Sequence, residues 1–182
     1  MSLPLNPFSL PPRVLFLALF AVCTGLLGFG LYLQHVVGVE PCPMCIMQRY
    51  AFVAVALVGL IAAIHGPGRI GVIVYSAILL LLSLVGGGVA AQQSHIQRQP
   101  PDLAQCGPGI EYLVDTFGFA EALPMIFQGS GDCGSVSWTF LGLSIANWSL
   151  VCFIAVAIFA ATMIVLAMRE KSSARPAPRA GN

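Results

Sequence analysis

Residues Ile70 to Ala91 read IGVIVYSAILLLLSLVGGGVAA, 22 residues without a charge. Crossing a bilayer as helix takes about 20 apolar residues, and the strict alternation of a barrel strand is absent here. A span whose backbone groups stay unpaired in lipid is not viable, so helix is the expected form. This stretch is read as a membrane-crossing helix, and the rest of the chain is organised around it.

Three further stretches have the same character. The short connection His65-Gly66-Pro67-Gly68-Arg69 precedes it, and before that Cys45 to His65 is apolar except for Arg49. Val14 to Gln34 carries no charge, and Asn147 to Met168 closes the set. Of the 182 residues 58% are hydrophobic and 8% charged, against about a quarter charged in soluble domains. The composition therefore describes an all-α membrane protein of four spans. The first span is too long for a signal-peptide core, and no A-x-A pattern follows it, so it is retained as a helix.

Charge near the spans sets the expected orientation. Arg13, Arg69 and the tail cations Arg169, Lys171, Arg175 and Arg179 share one topological side. Arg98 lies on the other, with Arg49 at its edge, together with Glu40, Asp102, Glu111, Asp115, Glu121 and Asp132. Both termini are expected in the cytoplasm, with the connections 35–44 and 92–146 outside it. The tail 169–182, Pro/Ala/Ser-rich from Lys171 onward, is expected to be disordered. The net charge of +1 says little about partners; with so apolar a composition, a lipid bilayer and not nucleic acid is the expected partner. The outer loop contains Pro100-Pro101, Gly107-Pro108-Gly109 and Gly129-Ser130-Gly131, all turn chemistry. Between them Ile110, Leu113, Val114 and Phe117 recur at helical spacing and predict one short amphipathic helix. Trp138, Phe140 and Trp148 suit the membrane interface.

Six cysteines divide cleanly. Cys23 and Cys152 fall mid-span and read as packing residues. Cys42 and Cys45 sit between the first two spans, Cys106 and Cys133 between the last two. Two crossings separate these groups, so all four emerge on one side, the side where disulfides persist. For Cys42-Pro43-Met44-Cys45, haem attachment would need His next, and Ile46 stands there. A zinc site usually repeats its close spacing, whereas Cys106 and Cys133 are 27 positions apart. A structural disulfide suits Cys106 and Cys133, but C-x-x-C closes too small a loop to restrict the unfolded chain much. Close spacing instead suits reversible redox exchange.

The surroundings point the same way. Pro41 and Pro43 fix the backbone, and a helix starting near Cys45 would turn its positive end towards that sulfur. Arg49, four residues on, shares a helix face with Cys45. It is either a cation snorkelling to headgroups or a donor to an electron acceptor that gains negative charge, such as a quinone carbonyl. His35 reads as an interfacial side chain.

Four spans, PCPMCIMQR after the first, CGPG at Cys106, GSGDC at Cys133 and WTFLGLSIANWS entering the last resemble the DsbB family of bacterial inner-membrane proteins. The resemblance covers all but the two tails. It implies a four-helix bundle with disulfides Cys42–Cys45 and Cys106–Cys133. It also implies a DsbA-like thioredoxin-fold oxidase as the periplasmic partner and a quinone, ubiquinone or menaquinone, as acceptor. A relay from DsbA through DsbB to quinone is what keeps the bacterial periplasm oxidising. On this pattern the partner meets Cys106, Cys133 exchanges with Cys42, and Cys45 faces a quinone held by Arg49, with Gln93 and His95 near the same site. Enzymes of the vitamin K epoxide reductase type also use four helices and two cysteine pairs, but there the C-x-x-C comes last; here it comes first. From another class, a non-catalytic scaffold or metal carrier would hold its outer cysteines in one static state.

Overall fold

A computed structural model describes residues 11–39, 41–98 and 138–173, with side chains described as far as Arg169. Cys106, Cys133, the amphipathic stretch Ile110–Phe117, Glu40 and the tail beyond Ser173 lie outside the described residues. Four long helices carry the fold: α1 (Pro12–His35), α2 (Pro43–His65), α3 (Arg69–Ile96) and α4 (Ile145–Ser173). A two-residue-per-strand hairpin, β1 (Thr139–Phe140) and β2 (Leu143–Ser144), leads into α4.

Each helix is long and apolar enough to cross a membrane. Their outward faces carry large apolar side chains: Leu81 on α3 is 64% exposed and Ile158 on α4 62%. Such continuous apolar surface suits lipid rather than water as its solvent. The chain is a multi-pass membrane protein, with four membrane-crossing helices among the described residues.

Local chemistry fixes the helix ends. Pro12 opens α1, where its missing N–H is no loss. α2 begins at Pro43, with Cys42 as the N-cap in extended conformation. The start therefore falls two residues before the expected position near Cys45, and Pro43 at the first turn accounts for it. Gly66 ends α2 with φ +58°, the left-handed cap that favours glycine, and its N–H returns to Ala62 O. Pro67 and Gly68 complete a turn that sets α3 antiparallel to α2.

α3 has 28 residues, about 42 Å at 1.5 Å per residue, well beyond an apolar slab of about 30 Å. The apolar run stops at Ala91, but the helix continues to Ile96. Residues 92–96, expected to open the outer loop, are helical because polar side chains there find partners on neighbouring elements. Gln93 bonds α2, and Ser94 Oγ donates to Asn147 Oδ1 of α4 at 2.6 Å. At the other end of the chain α4 runs on to Ser173, past the Lys171 at which disorder was expected, across Arg-Glu-Lys residues of good helix propensity.

The core lies where α2, α3 and α4 meet. Phe52 and Phe153 stack with centroids 4.2 Å apart. A Cβ on Gly86 would lie 2.5 Å from the Phe153 ring, so only glycine lets α3 and α4 approach this closely. Phe16 on α1 meets Phe159 on α4 edge-on at 6.2 Å. Cys23 is buried in this core and Cys152 packs half-buried against it, as packing residues would.

The hairpin turns through Leu141 and Gly142, both with positive φ, the pattern of a tight two-residue hairpin loop. It carries an aromatic ladder. Trp138 stacks on Phe140, meets Phe29 of α1 edge-on, and Trp148 Nε1 donates to Phe140 O at 3.0 Å.

Candidate redox site

The cysteine end of the bundle has its own apolar cluster. Cys42, Met44, Val89 and Ile96 are buried together, with Cys45 and Met47 packed against them. α2 therefore brings both sulfurs down against the end of α3.

The two sulfurs face each other at 2.7 Å. As N-cap, Cys42 Sγ also accepts from the Cys45 backbone N–H at 3.3 Å. A sulfur thus occupies the place a capping Ser or Asp oxygen usually takes. The positive end of the α2 dipole is aimed at Cys42 as directly as at Cys45, so its electrostatic support is shared across the pair.

Gln93 completes the site from α3. Its Nε2 donates to Cys42 Sγ and to Cys45 Sγ, both at 3.1 Å. Its Oε1 accepts from Gln48 Nε2 at 2.6 Å. Both glutamines are buried, Gln48 at 3% and Gln93 at 2% exposure. Gln48 lies one helical turn after Cys45, so α2 supplies the thiols and the residue that holds the amide facing them.

Arg49 turns the other way. It is half-buried, donates from Nη1 to Gln34 Oε1 and from Nη2 to Gly30 O at 3.1 Å, and so grips α1. It stays one turn from Cys45 on the same helix. Two of its five N–H donors are engaged among the described residues.

Of the residues singled out from sequence, Cys42, Cys45 and Gln93 come together, with Arg49 beside them on the α1 side. His95 is exposed. Two residues from Gln93, it points about 200° away around the axis of α3. His35 is exposed as well. Gln48, Gln34 and Gly30 were not singled out. The legible signal for Gln48 and Gln34 was a neutral polar side chain at the edge of an apolar run, three residues after Cys45 in one case and ending the first span in the other.

The fold and this site define a four-helix membrane protein that presents a C-x-x-C thiol pair at a helix cap. Comparison with known proteins agrees. The family model described as Disulfide bond formation protein DsbB matches residues 12–163. A Disulfide bond formation protein B from Aromatoleum aromaticum is 64% identical over 160 residues, covering 88% of this chain and 96% of the relative. One from an Azoarcus species is 59% identical over 148 residues, 81% and 89% of the two chains. Another from Hahella chejuensis is 45% identical over 149 residues, 81% and 90%. The chain belongs to the DsbB family, and is a disulfide-forming oxidoreductase of the membrane.

Proposed function

We propose that the chain makes disulfides de novo by passing two electrons from a periplasmic dithiol, through two cysteine pairs, to a membrane quinone. The single observation that carries this reading is the Cys42–Cys45 pair: two sulfurs at 2.7 Å on a helix cap, with amide donors on both.

In this reading the soluble partner is a DsbA-type thioredoxin-fold oxidase. Its thiolate attacks the Cys106–Cys133 disulfide and bonds to Cys106, releasing Cys133 as thiolate. The partner's second thiolate then displaces Cys106 and leaves with the new disulfide. Cys133 attacks Cys42, freeing Cys45 as thiolate, and Cys106 closes back on Cys133 to free Cys42. Two electrons now rest on the Cys42–Cys45 dithiol. The helix dipole and the Gln93 amide favour the thiolates that this exchange needs.

A quinone, when bound, supplies a two-electron, two-proton acceptor in the membrane. The residues present fit such a group. Arg49 is half-buried one turn from Cys45 and retains N–H donors beyond those given to Gln34 and Gly30. Guanidinium donors at a carbonyl oxygen stabilise the negative charge that reduction places there. Gln34 and Gly30 hold that guanidinium in place, and the apolar cluster around Met44 and Val89 limits water at the sulfurs. The excess of Lys and Arg flanking one end of the spans supports cytoplasmic termini and periplasmic cysteines in a bacterial inner membrane.

The test is quinone reduction by purified protein supplied with a reduced thioredoxin-fold dithiol, run beside Cys45→Ser. Turnover in the parent and none in the variant is expected. Folded protein that reduces neither ubiquinone nor menaquinone analogues with any such partner would overturn the reading.

A further inference from the structure

The chemistry of a dithiol explains the two sulfurs, but not why two buried glutamines are tied together beside them. A carboxamide has a donor end and an acceptor end. Turned one way, Gln93 gives N–H to both sulfurs and favours thiolate; turned the other, its oxygen faces them and favours the protonated thiol. In the structure Gln48 Nε2 donates to Gln93 Oε1 at 2.6 Å, which holds that oxygen away from the sulfurs. With its oxygen so engaged, Gln93 has only its NH₂ to offer, and both hydrogens go to sulfur at 3.1 Å.

We propose that Gln48 is a positioning residue that sets the polarity of the Gln93 amide, and that Gln93 is thereby a catalytic residue stabilising the reduced, thiolate form of the Cys42–Cys45 pair. The inference rests on reading Cys42–Cys45 as a redox pair. The chemistry it serves is one S–S bond formed as two electrons pass to the acceptor, the protons released with them. Support for thiolate stabilises the reduced side of that couple, so the disulfide becomes a stronger oxidant.

An uncharged donor does this without adding a titrating group beside the sulfurs. Among the described residues the ionisable groups nearby are the two thiols, Arg49 turned to α1, and His95 on the exposed face of α3. Burial of both amides keeps water from substituting for either hydrogen bond.

The experiment equilibrates the full-length protein in membrane mimetic with graded mixtures of reduced and oxidised dithiothreitol. Acid quenching, alkylation and peptide mass spectrometry then read the Cys42–Cys45 disulfide directly. It needs neither quinone nor partner. Gln48→Leu keeps the volume and removes the donor; Gln93→Leu removes the amide. Both should make the disulfide harder to reduce, needing about tenfold more reduced over oxidised reagent at half-reduction. Gln48→Glu, nearly isosteric, decides the matter if the leucine variants do not fold. Protonated, its carboxyl donates to Gln93 Oε1 as the amide does; ionised, it accepts from Gln93 and turns the oxygen towards sulfur. Its midpoint should match the parent at acid pH and move beyond that of Gln48→Leu at alkaline pH. A purely structural role predicts a lower thermal midpoint with an unmoved redox midpoint. That result in Gln48→Leu, or a parent-like Gln48→Glu at every pH, would overturn the proposal. Failure of Cys42–Cys45 to form a disulfide in any mixture would instead overturn the redox reading beneath it.

Discussion

Gln48 and Arg49 are adjacent in sequence and reach in opposite directions: Gln48 donates to Gln93 of α3, Arg49 to Gln34 and Gly30 of α1. One dipeptide, a turn beyond Cys45, therefore ties α2 to both of its neighbours at the depth of the thiols. The α3 side serves the sulfurs. The α1 side leaves guanidinium donors for an acceptor.

That division separates two variants. Arg49→Ala should raise the apparent KM for quinone by about tenfold or more, as expected for loss of a hydrogen bond from a charged donor. The dithiothreitol equilibrium of Cys42–Cys45 should stay near the parent value. Steady-state kinetics with a water-soluble quinone analogue measures the first, and an unchanged KM and kcat would remove Arg49 from acceptor binding.

Cys106→Ser should stop oxidation of the thioredoxin-fold partner while Cys42–Cys45 remains oxidisable by quinone. Partner oxidation at the parent rate would place its attack elsewhere.

Cys23→Ala and Cys152→Ala, singly and together, should leave partner-dependent quinone reduction intact. Their cost falls on packing, about 1 kcal/mol or less per small group removed. A loss of turnover in well-folded protein would bring these cysteines into the relay.

Gly86→Ala should destabilise the bundle by about 1–3 kcal/mol, because its Cβ would lie 2.5 Å from the Phe153 ring. Gly88→Ala, two residues on with nothing within 4 Å of its Cβ, is the matched control and should be tolerated. Thermal unfolding in detergent compares the two, and equal midpoints would show that α3 and α4 can move apart at little cost.

The four helices were legible because hydropathy over some twenty residues is a strong signal, and lipid leaves the backbone few alternatives. Less was legible where side chains outside the apolar runs find partners. Hydropathy stops at Ala91, yet α3 continues because Gln93 and Ser94 are satisfied by α2 and α4. Cys42 as N-cap was hidden by its residue type, since cysteine is not among the usual capping residues. Pro43 marked the true start. Gln93 was named only through the family resemblance, as a neighbour of the quinone, and its contact with the sulfurs depends on which way Gln48 holds it. A neutral amide carries no pattern of its own in a sequence, and its meaning appears only when donor and acceptor ends are assigned partners.

The capping role of Cys42 has a consequence for what this position demands. As a helix cap, serine would serve at least as well as cysteine: its oxygen accepts from the same backbone N–H. The helix cap thus places no requirement for sulfur there. Cys42→Ser is therefore an uncommonly clean instrument, a one-atom exchange that should leave the architecture intact while silencing the chemistry. The sulfur at the head of α2 is kept for its chemistry and not for the cap, and the distance between those two demands is a measure of what the protein is for.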